Sequence, residues 1–183
     1  MGSSVNVALP MIAGDFSMSA LSLSWVATAF LLAAAIALVP TGRLADIYGR
    51  KKFFLAGSLI FALSSLMSIW SGSDTFFIAT RVLQGIGGAM IFSTGTAMLI
   101  SAYPIGERGK MLGINIAAVY TGLTIGPFVG GLLTQHLGWE AIFMVNAGLG
   151  AAAALVAACM AKEARPAAQG ERFDLAGSIL YAV

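Results

Sequence analysis

The chain has 183 residues, of which 58% are hydrophobic and only 10% charged, and its mean hydropathy is +0.89. Soluble domains average about 25% charged and about 45–50% apolar residues, so composition excludes a soluble globular protein and predicts a polytopic membrane protein. The formal charge of +2 comes from basic residues scattered singly, with only Arg50, Lys51 and Lys52 adjacent, a pattern that excludes a nucleic-acid footprint.

Apolar runs of about 20 residues cross a hydrocarbon core of about 30 Å. In lipid the backbone must satisfy itself through helices or closed barrels; the runs here are continuous rather than alternating, which predicts helices. Ser4 to Ala13 is apolar but only about half a span, roughly 15 Å as a helix. The polar turn Gly14-Asp15-Phe16-Ser17 follows, then a span from Leu23 to Thr41. Gly42 to Lys52 reads as a short aqueous loop, with glycines at both Gly42 and Gly49 for tight turning. Phe53 to Trp70 is the next span, closed by Ser71-Gly72-Ser73-Asp74, and Thr75 to Tyr103 crosses with tilt. Pro104 to Lys110 is a loop and Met111 to Leu133 a span; Gln135-His136-Leu137-Gly138 turns into Glu140 to Met160. Lys162 to Arg172 is polar, and Phe173 to Val183 opens another apolar run.

Basic residues alternate between these loops. The turns around Asp15, Asp74 and His136 hold no Lys or Arg, whereas the others hold Arg43, Arg50, Lys51, Lys52, Arg108, Lys110, Lys162, Arg165 and Arg172. The excess of positive charge predicts that these loops are cytoplasmic. The location expected from this pattern is the cell membrane.

Arg81 is the basic residue outside that pattern, and it falls inside the fourth apolar run. A cation at the centre of a membrane helix costs about 2.5–3.5 kcal/mol on insertion scales, so it must face protein or water, or snorkel to an interface. Two readings are open: snorkelling toward the nearby Asp74 end, or a lined pathway with Gln84, which shares its helix face three residues on. Gly85, Gly87 and Gly88 thin the same helix for a close neighbour. In the fifth span Ala118, Gly122, Gly126 and Gly130 form a stripe without side-chain bulk, suited to close packing. Pro127 frees the carbonyl of Leu123 and predicts a bend near mid-span. Phe30, Phe92, Tyr120 and Phe143 read as packing or lipid-facing aromatics.

These stretches resemble the major facilitator superfamily, and within it the bacterial fourteen-helix drug:proton antiporters. Gly42-Arg43-Leu44-Ala45-Asp46-Ile47-Tyr48-Gly49-Arg50-Lys51-Lys52 is similar to the signature between helices 2 and 3. Arg81-Val82-Leu83-Gln84-Gly85-Ile86-Gly87-Gly88-Ala89 resembles the helix 4 motif tied to proton coupling. Gly122-Leu123-Thr124-Ile125-Gly126-Pro127-Phe128-Val129-Gly130-Gly131 resembles the helix 5 antiporter motif, and Val5-Asn6-Val7-Ala8-Leu9-Pro10 the second half of the helix 1 signature. Phe173-Asp174-Leu175-Ala176-Gly177 looks like the start of the extra helix between the two halves of fourteen-helix members.

The resemblance implies an all-α polytopic fold: a six-helix N-terminal bundle over 1–161 with helix 1 incomplete, a cytoplasmic loop over 162–172 and the start of helix 7 over 173–183. It implies a proton-coupled antiporter that exports small amphipathic compounds by alternating access. Gly42, Asp46, Gly49 and Arg50 would form a conformational latch, with Asp46 paired to an arginine of its own loop and facing a helix dipole from the second half. Arg81 and Gln84 would carry proton coupling. Gly122, Gly126, Pro127, Gly130 and Gly131 would form the interface along which the halves rock, and Asn6 and Pro10 belong to the helix 1 motif. The implied partners are the lipid bilayer, protons, a small amphipathic substrate and a C-terminal half of the same transporter. No nucleic acid, cofactor or metal is implied.

The sequence departs from the family pattern at three points. Met1 stands where helix 1 usually carries an acid, Glu140 follows Trp139 where an arginine is common, and the sequence stops inside the seventh helix. The sequence is therefore read as a fragment. The competing readings are a truncated integral membrane protein without transport of its own and an intramembrane enzyme. The last is poorly supported: His136 lies in a turn, Cys159 is the single cysteine, no metal-ligating cluster exists, and Ser93 lacks the glycine of a nucleophile elbow.

Overall fold

The computed structural model describes residues 2–160 and residue 177. The polar segment 162–172 and, apart from residue 177, the run 173–183 lie outside the described residues. The described elements are all helical: α1 Gly2–Asp15, α2 Ala20–Tyr48, α3 Arg50–Ile69, α4 Asp74–Ala102, a single 3₁₀ turn Ile105–Glu107, α5 Arg108–Leu137 and α6 Glu140–Met160. Five of them, α2 to α6, are long and apolar enough to cross a membrane. At 14 residues, α1 is about 21 Å long.

Helix ends follow from local chemistry. The Ser19 hydroxyl caps α2 by accepting from Ser22 N at 3.1 Å, and Ser73 caps α4 by accepting from Phe76 N at 3.3 Å, each satisfying a donor that the first helical turn leaves free. Tyr103, held extended before Pro104 (φ −116°, ψ 148°), ends α4, as the clash with a following proline ring requires.

Two predicted loops are corrected. The segment Gly42 to Lys52 is not an aqueous loop: α2 continues through Gly42 to Tyr48, and α3 starts at Arg50. The whole reversal is made at Gly49, whose φ of 114° lies where a side chain would strain the backbone. Gly42 is helical and makes no turn. Likewise α5 absorbs Arg108 and Lys110 at one end and Gln135 to Leu137 at the other, and the turn into α6 falls on Gly138 at φ 86°. Charge density marked where water begins, and helices extend past that boundary because polar residues do not stop them.

Helix α4 is the centre of the bundle, flanked by α2 and α3; α6 packs on α3, and α1 lies along α5. Parallel packing of α2 and α4 shows in the pairs Val26 with Arg81 and Gly42 with Ser93. Antiparallel packing of α3 shows in Ser68 with Thr80 and Gly57 with Met90. The α4 glycines divide the work. A methyl on Gly85 would collide with the Phe30 carbonyl of α2. One on Gly87 would stand 2.8 Å from both Gly57 O and Phe61 N of α3. Backbone cannot yield as a flexible side chain does. Gly87→Ala is therefore expected to destabilise the bundle by about 1–3 kcal/mol, the range for overpacking, read as a lower Tm in detergent. Gly42→Ala, whose methyl meets only Ser93 Cβ at 3.5 Å, should leave Tm unchanged.

At the Asp15–Asp74–Gly138 end an apolar cluster joins α1, α2, α4 and α6 through Val5, Ile12, Val26, Phe77, Trp139 and Phe143. The Phe77, Trp139 and Phe143 rings meet edge to face with centroids 5.5–5.8 Å apart, the arrangement their quadrupoles favour. Trp139 Nε1 donates to Asp15 Oδ2 at 2.6 Å, fastening the end of α1 to the start of α6.

Candidate functional site

Arg81 does not snorkel. Its side chain is 2% exposed and sits seven residues into α4, about 10 Å from the Asp74 end along the axis. Nε donates to the Val26 carbonyl of α2 at 3.1 Å, and an NH1 hydrogen bonds to Gln84 Oε1. The guanidinium carbon lies 4.5 Å from the centroid of the Phe30 ring, a cation–π contact. Gln84, 1% exposed, donates from Nε2 to Ser65 Oγ of α3 at 2.6 Å. Just beyond, Ser68 and Thr80 share a hydrogen bond at 2.7 Å.

Every group around the cation is thus neutral. The carboxylates on neighbouring elements are engaged elsewhere: Asp74 accepts from Ser22 at 3.1 Å and from Thr75 N at 2.7 Å, and Asp15 accepts from Trp139. Among the described residues no acid pairs with Arg81. A guanidinium stays charged and offers donors only, and in a medium of low effective dielectric its field is poorly screened. Among the described residues the site holds its positive charge with neutral hydrogen bonds and no counter-charge.

The second group lies at the basic end. Arg50 Nε and Asp46 Oδ1 are 2.7 Å apart, across the Gly49 break, with their side chains 29% and 33% exposed. Arg50 NH1 also donates to the Ala97 carbonyl of α4 at 3.3 Å, and Lys51 Nζ to the Ala158 carbonyl near the end of α6 at 3.1 Å. Asp46 sits by the positive end of α3, where a carboxylate is favoured and the Arg50 charge is not. A partly exposed ion pair of this kind contributes at most about 1 kcal/mol, so this contact orients side chains more than it holds the fold.

The α5 stripe divides in two. A methyl on Gly130 would lie 2.8 Å from Ser4 Cβ, one on Gly126 would lie 2.6 Å from Ser3 Oγ, and Ser4 Oγ donates to the Gly126 carbonyl at 2.8 Å. Gly131 faces Val7, while Gly122 meets nothing within 4 Å. Ala118, Gly122 and Gly126 form one wall of a 720 Å³ groove whose other wall is Ile142, Asn146 and Leu149 of α6. Helix α5 runs on through Pro127. Asn6 and Pro10 lie on the exposed face of α1. Of the aromatics, Phe143 is core and Phe30 covers the cation, whereas Phe92 and Tyr120 are exposed.

Sequence reasoning missed Ser65 and the Val26 carbonyl. A carbonyl leaves no signal. Ser65 left one, since Ser58, Ser64, Ser65 and Ser68 recur at helical spacing in an apolar run and are all buried against neighbours.

Membrane-length helices packed around a buried arginine define a multi-pass membrane protein with a charge inside its bundle. The family model of the Major Facilitator Superfamily matches residues 1–177, and the chain belongs to that superfamily of transporters. It is 32% identical to the riboflavin transporter RibZ of Clostridioides difficile, over 99% of this chain and 40% of that protein. It is 35% identical to the tetracenomycin C resistance and export protein of Streptomyces glaucescens, over 96% of this chain and 33% of that protein. Identity to the cephamycin export protein CmcT of Amycolatopsis lactamdurans is 34%, over 96% and 37% respectively. The chain therefore spans about a third to two-fifths of the length of these relatives.

Proposed function

We propose that this chain is the N-terminal bundle of a proton-coupled antiporter of the plasma membrane, exporting small amphipathic compounds with its basic segments in the cytoplasm. The observation that carries the reading is Arg81, a cation buried among neutral groups. Such a charge responds strongly when a carboxyl elsewhere in the transporter gains or loses a proton, because the Coulomb interaction is weakly screened there. Proton uptake would then move the guanidinium between two sets of partners, and α2, α3 and α4 with it.

The relatives named for tetracenomycin C and cephamycin export support outward movement of small organic compounds. The riboflavin transporter shows that the family's substrates are not confined to antibiotics. Asp46 and Arg50 serve as the latch and the open α5 stripe as a sliding surface, both toward a second half of the transporter. The test is the complete transporter in proteoliposomes with an acidic lumen and ethidium outside. Ethidium accumulation that collapses with a protonophore is expected. Accumulation of none of a panel of hydrophobic cations under the same gradient would overturn the reading.

A further inference from the structure

We propose that Ser65 of α3 is a positioning residue for the Arg81 site, setting the orientation of the Gln84 amide and through it the pH dependence of transport. The inference rests on the proton-coupled reading and adds a residue, on a third helix, that no sequence motif marks.

Donor and acceptor directions fix the arrangement. A guanidinium has donors only, so the Gln84 amide must turn its oxygen toward Arg81. Its NH2 then points toward α3 and needs an acceptor, because Gln84 is buried and an unmet donor there is costly. Ser65 Oγ supplies the acceptor at 2.6 Å. Its own hydrogen is committed to the Phe61 carbonyl at 2.6 Å, which leaves its lone pairs for Gln84. The result is a directed chain, Arg81 to Gln84 and Gln84 to Ser65 to Phe61, across α4 and α3. Its span is set by the Gly87 crossing, where the Phe61 backbone comes so close that only glycine fits. Rotating the amide by half a turn would set NH2 against guanidinium and C=O against the Ser65 lone pairs. The chain therefore selects one orientation.

Among the described residues, the charged and titratable groups on the elements packed around the site are few. Arg81 is on α4 itself; Asp74 at the head of α4 and Asp15 at the end of α1 are bonded elsewhere. Asp46 of α2 pairs with Arg50 of α3, and α3 carries no ionisable residue between Phe53 and Ile69. With Ser65 removed, the buried Gln84 NH2 has lost its acceptor and the side chain is anchored at its oxygen end alone, so it can swing toward another acceptor and loosen its hold on Arg81. The guanidinium then binds the proton-carrying carboxylate more strongly. That favours the charged carboxylate, lowers its pKa and moves the pH midpoint of transport down. Redistributing one hydrogen bond to a charged group corresponds to about one pH unit.

The experiment measures initial rates of ethidium transport against pH for the complete transporter, its Ser65→Ala variant and its Ser65→Thr variant, each normalised to folded protein in the membrane. The expected result is a midpoint lower by about one unit in Ser65→Ala and close to wild type in Ser65→Thr, which keeps the hydroxyl. An unshifted Ser65→Ala overturns the positioning role while leaving proton coupling intact. Equal shifts in both variants overturn it in favour of packing, and loss of transport at every pH overturns it as well. A wild-type rate that does not depend on pH overturns both the inference and the coupling on which it rests.

Discussion

Arg81→Gln in the complete transporter is expected to abolish gradient-driven accumulation, by about a hundred-fold, while the protein inserts and unfolds at an unchanged or higher Tm. The two halves of this expectation have one cause. A buried cation with no counter-ion among the described residues is a cost to the fold, and replacing buried ionic groups by neutral ones is often neutral or stabilising. In the proposed antiporter its value would lie in transport, where losing one buried charge-assisted contact of about 2–5 kcal/mol corresponds to a rate change of that size. Arg81→Lys should rescue little. Nε and NH1 reach the Val26 carbonyl and Gln84 at once, and a compact ammonium cannot reproduce that planar fork. Rates of accumulation and thermal unfolding curves, measured on the same preparations, check both halves. Fold loss in Arg81→Gln would make the arginine a packing element.

Asp46→Asn should lower transport by at least about ten-fold, the effect of roughly 1.4 kcal/mol on the rate-limiting step, with Tm unchanged. Asparagine keeps the shape and still accepts from Arg50, and the partly exposed pair it replaces is worth at most about 1 kcal/mol. Any large effect must therefore come from a contact that needs the negative charge, such as a helix terminus in the second half. Gly42 points the same way. Within this bundle it faces only Ser93 at ordinary contact distance, so nothing here requires a glycine. If Gly42→Ala folds normally and yet transports poorly, the close approach is made by something beyond the described residues. Full transport by both variants would remove the latch.

The span pattern was legible because membrane helices announce themselves through hydropathy: α6 runs from Glu140 to Met160 as its apolar stretch predicts. The Gly42–Lys52 segment was misread as a loop because charge marks the water boundary, whereas helix geometry is set by backbone conformation. Only Gly49 takes a positive φ there, and Gly42, equally a glycine, does not. Arg81 and Gln84 were legible as a pair because a helix places residues three apart on one face. Their partners were not, since Val26 O, Phe30 and Ser65 depend on how α2 and α3 dock. That docking is written in Gly85, Gly87 and Gly57, and the side of the helix each glycine serves is a tertiary fact.

The most direct test of the central claim, that Arg81 couples proton and substrate, is proton release on substrate binding. Purified complete transporter in weakly buffered solution near neutral pH would be mixed with ethidium or another transported cation and followed with a pH-sensitive dye. Protons should appear in proportion to bound substrate for the wild-type protein, and their yield should fall sharply in Arg81→Gln at equal substrate occupancy. Substrate binding with no proton release in the wild type, or with equal release in both proteins, would contradict the claim.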